Sequence, residues 1–517
     1  MLARIHVGRP LRLAWIVPVL LLGSGFAESV EPPAKQRPNI VLLLVDDLGW
    51  RDAGFAGSDF YETPNIDTLA RDGITFWDAY ACAANCAPSR ACILSGQYPV
   101  RHGIYSVFPL DQGPRQRMRL RAAPNRRVLS GETVTVAEAL AGAGYVTAMF
   151  GKWNVGLGGA TRPEAQGFGV ARPSKRPRPE DFARTGDAGD ARAITEQATH
   201  FIEEHRDRPF FALVSHHAVH IPHHARASLL EKYASKPAGE LHANLALAAM
   251  LEELDESIGV LLGKLDELGL ADRTLVVLTS DNGGLPQSPQ TPLRGTKGSY
   301  YEGGIRVPLL ARWPGVITPG STSAVPVDNV DLFPTFLQAA RVRRDDGLDL
   351  DGVSLVPLFE NPAHDPERSL FWHFPGYLFG RNAGARDPTF QTRPVTVVRN
   401  GPWKLHLYHE EWALDGGRES MDSNGAIELY DLGRDPGERK NLAREEPERR
   451  DALLAEMLEW VKATGAPVPT EPNPEWRGRK KRRQSSRPSS PSNARSPSGP
   501  RTRRATNPAS SAPSTLS

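Results

Sequence analysis

The sequence predicts an α/β protein: a large, doubly wound, mostly parallel sheet flanked by helices, then a smaller C-terminal antiparallel sheet with one helix. Three observations carry this. Largely apolar runs of strand length recur without in–out alternation at Ile40–Val45, Tyr145–Phe150, Pro209–Val214 and Thr274–Thr279, as expected of strands buried on both faces. Helical patterns alternate with them up to about residue 340, the arrangement of βαβ units. From about Gln391 short strands split by turns at Asn400-Gly401 and Arg434–Gly437 take over, which indicates a small antiparallel sheet.

A chain of 517 residues has room for one large or two unequal domains with ample core. A hydrophobic content of 40% and a charged content of 24% are ordinary for a soluble globular protein. The formal net charge of +2 conceals an uneven distribution. From Glu471 on there are eleven lysines and arginines against two glutamates, and the first 27 residues hold Arg4, Arg9 and Arg12, so the body between is about ten charges negative. No nucleic-acid partner is expected. The three arginines precede the apolar run Leu13–Leu22, and Gly25-Phe26-Ala27 fits a cleavage site, so residues 1–27 read as a signal peptide of an exported, periplasmic or secreted protein. The run is short for a membrane span. Residues 28–385 are expected to form the α/β domain, 386–468 the small antiparallel subdomain, and 469–517 a disordered basic Ser/Pro/Arg tail.

The first strand, Ile40–Val45, runs into Asp46-Asp47-Leu48-Gly49. Two adjacent acids at the carboxyl end of a buried strand repel each other unless a cation sits between them. Thr63 to Gly73 reads as a short helix with Thr63 as N-cap and Pro64 in the first turn. The run Tyr80–Gly96 contains Cys82, Cys86 and Cys92, and Pro88 suits the first turn of a helix that begins near Cys86. A cysteine at a helix N-terminus, four residues before Arg90, is a candidate nucleophile facing an anion, or part of a buried turn with a salt-bridged arginine. Thr135–Glu138 matches a capping box. The next strand ends in Gly151-Lys152-Trp153-Asn154, and Arg162–Asp190 reads as a long loop. Pro209–Val214 runs into five histidines between His216 and His224, which suit either a transition metal or an anion and its leaving group. Leu241–Leu268 is the longest helix, Thr274–Thr279 ends in Ser280-Asp281-Asn282, and a glycine-rich loop carrying Lys297 and Arg306 follows. Asp328–Ala340 and Pro447–Ala463 are further helices.

Strand ends of a parallel sheet converge at one edge, where open α/β sheets place ligands. The oxygens of Asp46, Asp47, Asp281 and Asn282 suit a hard cation such as Ca²⁺ or Mg²⁺. Arg90, Lys152, Lys297 and some of the histidines add positive charge. The combination describes a pocket for a compact anionic ester, with catalysis by positioning and charge neutralisation.

On these stretches the chain resembles a type I, formylglycine-dependent sulfatase of the alkaline-phosphatase superfamily. The resemblance is carried by Asn39–Gly49, Cys86-Ala87-Pro88-Ser89-Arg90 with Leu94–Gly96, Gly144–Lys152, Ala218–His220, Ser280–Gly283, Gly295–Lys297 and Glu302–Gly304, and by Glu428–Leu432, Asp435–Gly437 and Asn441-Leu442. It spans about residues 37 to 465. The resemblance implies that a maturation enzyme reading Cys-x-Pro-x-Arg oxidises Cys86 to Cα-formylglycine. One hydroxyl of the aldehyde hydrate would attack sulfur to give a sulfo-enzyme, and the other would expel sulfate. Asp46, Asp47, Asp281 and Asn282 would bind one Ca²⁺ together with the matured Cys86. Arg90 and Lys152 would support the formylglycine and the sulfate, and His220 and Lys297 would hold the sulfate and assist the leaving oxygen. Asn154 departs from the family's Lys-x-His pattern, and an amide cannot titrate near neutrality. It is assigned to orienting the hydrate, or turnover uses another base. The implied substrate is a sulfated carbohydrate, with the loops Arg162–Asp190 and Tyr377–Thr392 selecting the sugar. The competing readings are a phosphodiesterase or phosphonate monoester hydrolase of the same superfamily, and an unmatured protein that binds sulfated glycans.

Overall fold

The computed structural model describes residues 37–175, 191–345, 347–382 and 384–478. The expected signal segment, most of the loop before Ala191 and the basic tail from 479 on lie outside them. Nine strands come first: β1 (Asn39–Val45), β2 (Ile74–Phe76), β3 (Ala79–Tyr80), β4 (Val146–Gly151), β5 (Val170–Pro173), β6 (Phe210–Ser215), β7 (Thr274–Ser280), β8 (Leu309–Arg312) and β9 (Ser321–Ser323). Eight of them form one sheet in the order β5-β4-β6-β1-β7-β8-β2-β9. All run parallel except β8, which opposes both neighbours. β3 pairs instead with β10 (Val327–Asp328).

The central strand shows why its sequence does not alternate. Ile40, Leu42 and Leu44 face one apolar core, and Val41, Leu43 and Val45 face the other. Helices Cys86–Ser95, Val136–Gly142 and Leu332–Ala339 cover the first face. Helices Pro64–Arg71, Ala191–Glu204 and Leu245–Glu267 cover the second. Burying each such side chain contributes about 1.5–3 kcal/mol, so a polar residue anywhere in this strand would be costly on either face.

The predicted capping box is present: Glu138 N–H donates to Thr135 Oγ1 (3.2 Å) and Thr135 N–H to the Glu138 carboxylate (2.7 Å). Thr63 does not cap its helix as predicted. Its hydroxyl accepts from Gly54 N–H (2.8 Å) and donates to Asp67 (2.9 Å). The first N–H groups of that helix go to Asp255 from the longest helix, at 3.1 Å from Asn65 and 2.8 Å from Ile66. A tertiary carboxylate thus supplies the cap that local sequence reasoning assigns to a threonine.

Three further expectations are corrected. The stretch predicted as a loop from Arg162 contains β5, an edge strand held by β4. The small sheet, ordered β11 (Ser369–Phe374), β14 (Val395–Asn400), β15 (Trp403–Tyr408), β16 (Ile427–Asp431), takes its first strand from ahead of residue 386. A two-stranded pair, β12 (Leu378–Phe379) and β13 (Phe390–Thr392), lies between β11 and β14 in sequence. Helix Pro447–Thr464 packs Leu453, Leu454 and Met457 on Val398, Leu405 and Leu407 of the small sheet. The chain also stays ordered past 469, because Arg121 N–H donates to Glu471 O and Asn473 N–H to Arg119 O, each at 2.9 Å. The Arg119 guanidinium lies 5.6 Å from the centre of the Trp476 ring. Among the described residues no helix is long and apolar enough to cross a membrane.

Candidate active site

Four neighbouring parallel strands end level with one another. Gly151 of β4 pairs with Ser215 of β6, Ser215's neighbour across β1 is Leu44, and Val45 pairs with Ser280 of β7. The next residues of each strand therefore meet: Lys152, His216-His217, Asp46-Asp47 and Asp281-Asn282. Gly151 has φ of +91°, and a Cβ there would lie 2.1 Å from Ser215 O, so only glycine lets β4 turn Lys152 inward at this point. Asp47 also has positive φ, at 67°, a costly conformation for a non-glycine residue that recurs at functional sites.

Helix Cys86–Ser95 points its first residue at this edge and is buried along its whole length. Cys86 Sγ lies 3.4 Å from Asp46 Oδ1, 4.0 Å from Asp47 Oδ1 and 3.2 Å from Lys297 Nζ. One turn on, Arg90 donates from Nε to Asp281 (2.7 Å) and from Nη1 to Lys152 O (3.0 Å) and Ser215 Oγ (2.5 Å), while its Nη2 is buried without a partner. Lys152 Nζ donates to Asp46 Oδ2 and lies 3.9 Å from Asp281. Lys297 Nζ lies 2.6 Å from Asp47 Oδ1 and 2.8 Å from Oδ2. Asn282 donates its amide to Asp47 Oδ1 (2.7 Å), and its own Oδ1 is buried and unpartnered. His220 Nε2 lies 3.7 Å from Asp47 Oδ2.

The charges perturb one another strongly. Burial raises the Asp46 carboxyl, but Lys152, Lys297 and Arg90 outweigh it and hold that carboxyl well below the ordinary range. Burial and the Asp46 charge raise Asp281 in spite of Arg90. Burial acts to lower Lys152 and Lys297, yet Asp46 and Asp47 respectively keep both ammoniums above their usual values. Burial, with Asp281 and Asp46 adding to it, pushes the Cys86 thiol up to about 12. As a thiol, Cys86 is a poor nucleophile at neutral pH.

The residues present fit a hard cation. Ligand atoms of Asp46, Asp47, Cys86 and Asp281 all lie within 4.8 Å of one another, and the orphaned Asn282 Oδ1 adds an oxygen donor. Buried oxygen donors of this kind suit Ca²⁺ or Mg²⁺. Three carboxylates are balanced by Arg90, Lys152 and Lys297, so a divalent ion leaves a positive surplus that a sulfate group can neutralise. Most of the histidine run lies outside the candidate ion site. Among the described residues His220 is the only histidine in a candidate ion cluster. His216 is buried away from the cavity, with both ring nitrogens unpartnered. His217 meets Ser174 Oγ at 3.2 Å, and burial lowers its pKa to about 3.

A cavity of about 700 Å³ opens above this edge, and Cys86, Lys152, Asn154, His217, His220 and Lys297 are among its lining residues. Asn154 has φ of 62°, in the left-handed region that asparagine tolerates better than most residues. Leu378, Phe379 and Gln391 also line it. Asn382 from the same loop donates to Thr296 O (2.9 Å) and Lys297 O (3.0 Å) and accepts from Thr296 N–H (3.0 Å), fixing the segment that carries Lys297. Sequence reasoning missed Ser215 and Asn382. Ser215 ends a predicted strand and could have been flagged on that ground, whereas nothing local marks Asn382. Cys82 and Cys92 are buried free thiols.

A buried strand-edge cluster of carboxylates and basic side chains, on a mostly parallel sheet with helices on both faces, suits a hydrolase centre that holds an anionic ester beside a cation. The Sulfatase family model matches residues 38–342, and an "N-sulphoglucosamine sulphohydrolase, C-terminal" model matches 296–463. The chain belongs to the sulfatase family, a group of sulfuric ester hydrolases with the alkaline-phosphatase-superfamily fold. It is 31% identical to a "Sulfatase" of Formosa agariphila, over 87% of this chain and 93% of that one. It is 33% identical to human "Arylsulfatase A", over 82% of this chain and 86% of that one. Among solved structures, "Ps i-CgsB" matches with a TM-score of 0.66 at 25% identity, over 82% of this chain and 93% of that one.

Proposed function

We propose that the protein hydrolyses sulfate monoesters with Cys86 matured to Cα-formylglycine, through a hydrate nucleophile and a sulfo-enzyme intermediate. The observation that carries this reading is the seat of Cys86. It begins a buried helix, touches Asp46 and Lys297, and stands where four strand ends meet. The formylglycine hydrate would supply two hydroxyls on one carbon, so that one can bond to sulfur and the other can release it, which a thiol cannot do.

In this reading Asp46, Asp47, Asp281 and Asn282, with the matured Cys86, would hold one Ca²⁺, whose charge would draw the sulfate oxygens. Arg90 locks Asp281 and the backbone at Lys152, so its role is to hold the nucleophile and the carboxylates in register. Lys152 and Lys297 flank Cys86 from opposite carboxylates and neutralise charge that grows on the sulfuryl oxygens. His220, at the cavity wall, and Lys297 are assigned to the leaving oxygen. Asn154 orients the hydrate by hydrogen bonding and moves no proton.

The partners proposed are a formylglycine-generating enzyme and a sulfate ester, and residues 1–27 are proposed to direct export. For the expected sulfated carbohydrate there is support in the names of similar proteins. One is a human "N-acetylgalactosamine-6-sulfatase", 30% identical, and another is "Ps i-CgsB in complex with k-i-k-neocarrahexaose". Other relatives are named arylsulfatase and steryl-sulfatase, so the leaving group has to be read from this chain's own cavity.

The test is a paired kinetic series on sulfate, phosphate and phosphonate esters of one alcohol, before and after chelation. Sulfate is expected to lead in kcat/KM, with activity lost on chelation and restored by Ca²⁺. A preference for the phosphate or phosphonate ester would instead favour the rival hydrolase.

A further inference from the structure

The floor of the cavity is charged, whereas part of its rim is apolar. Four large apolar side chains stand exposed around it: Phe108 at 51%, Leu157 at 57%, Ile221 at 38% and Phe379 at 53% of their accessible surface. They come from four separate segments of the chain. Single exposed apolar residues are normal on a protein surface, but several gathered on one concave site mark a surface that a ligand covers. The position of Phe379 is built. Gly113 has φ of +107°, and a Cβ there would lie 2.6 Å from the Phe379 ring, so glycine allows the chain to pass against that aromatic face. At Gly298, next to Lys297, a Cβ would lie 1.9 Å from Gln391 Oε1 and 2.9 Å from the Leu378 side chain, both on the hairpin that carries Phe379. The aromatic hairpin thus presses on the segment that carries Lys297.

We propose that Phe108, Leu157, Ile221 and Phe379 form a leaving-group subsite that selects sulfate monoesters of apolar, ring-shaped alcohols, aryl alcohols foremost, over sulfated sugars. This rests on the sulfate-ester reading of the site and makes its substrate class definite. The sulfate end goes to the basic floor, and the ring lies between the two phenylalanines. Burial of the ring is uniform binding, so the rim acts on KM more than on kcat.

The experiment compares 2-naphthyl sulfate with glucosamine 6-sulfate on the matured enzyme, with Phe108→Ala, Phe379→Ala and the double variant. Naphthyl sulfate is expected to lead by at least tenfold in kcat/KM. Each substitution should raise its KM about tenfold and the pair about a hundredfold, with kcat little changed and the sugar sulfate barely affected. Equal or better turnover of the sugar sulfate, or equal losses on both substrates, would overturn the proposal. If neither ester nor any other sulfate is turned over, the hydrolase reading fails, and the subsite is then judged by binding alone. Fluorescence titration of the unmatured chain with 2-naphthyl sulfate should still show saturable binding that the double variant weakens, and absence of that binding overturns the subsite.

Discussion

Two buried charge clusters in this molecule invite comparison. One is the strand edge around Cys86. The other joins the glycine-rich loop to the small sheet, where Lys404 Nζ lies between Glu302 (2.8 Å) and Glu438 (3.0 Å), with His406 3.1 Å from Glu438. Both are almost wholly out of water. The second is closed: each of its polar side chains finds a partner, and Glu438 also accepts from Glu302 N–H at 2.6 Å. The first opens into a cavity and keeps orphans, Arg90 Nη2 and Asn282 Oδ1. Buried polar atoms left without partners cost about 1–3 kcal/mol each. They persist at a cavity because something else is meant to meet them. A closed network serves the fold, and an open one serves a ligand.

Opposite consequences of removing a lysine from each cluster sharpen the contrast. Lys404→Met leaves two buried carboxylates facing each other. It should destabilise the fold by about 3–5 kcal/mol, read from denaturant midpoints, with kcat per folded molecule unchanged. Lys297→Met should do the reverse, lowering kcat about a hundredfold to a thousandfold while shifting the melting temperature little. If Lys297→Met unfolded the protein and Lys404→Met silenced it, the distinction would be broken.

The closed cluster also has a predicted pH signature. Burial pushes Glu438 up to about 7 in spite of Lys404, whereas Lys404, Arg306 and Arg399 overcome burial and lower Glu302 to about 2. Glu302 therefore adds stability that is present above its unfolded value near 4.5 and lost as the pH falls towards 2. Glu438 does the opposite: its contribution is present below 4.5 and is lost as the pH rises through 7. Stability from the pair should peak near pH 4.5 and decline towards 7 by up to about 3 kcal/mol. Glu438→Gln should flatten that decline in a series of melts, and an unchanged slope would show that the group carries no such shift.

The smallest expected effect is at Asn154. The amide does not titrate, so the native kcat profile should lack a limb from this position near neutrality. Asn154→His should introduce one near pH 6.5 and change the maximal rate less than the Lys297 substitution does. A profile identical to the native one would show that residue 154 does not touch the reacting group.

Much of this was legible in the sequence because it is written in local patterns. The apolar runs of β1, β4, β6 and β7 announce strands buried on both faces, and the residues just after them announce the site. The parallel rule then brings Asp46, Lys152 and Asp281 together without any contact being known. The capping box at Thr135 is equally local. What could not be read depends on distant partners. Asp255 displaces Thr63 as a helix cap across 190 residues, and Asn382 clamps a segment 85 residues away. β5 is a short edge strand that exists only because β4 offers it a ladder. The segment 469–476 lacks apolar density, yet pairs its backbone with residues 119–121.

The chemistry of the site turns on what Cys86 becomes. Trypsin releases the peptide Asp72–Arg90, and its mass in protein from the native host reads the side chain directly. An aldehyde at position 86, seen as a peptide lighter by the exchange of a thiol-bearing carbon for a carbonyl and reactive towards a hydrazide, is the predicted result. An intact thiol at Cys86 in protein that nevertheless hydrolyses sulfate esters would contradict the formylglycine reading. An intact thiol in protein that does not would leave a site that binds sulfate esters without cleaving them.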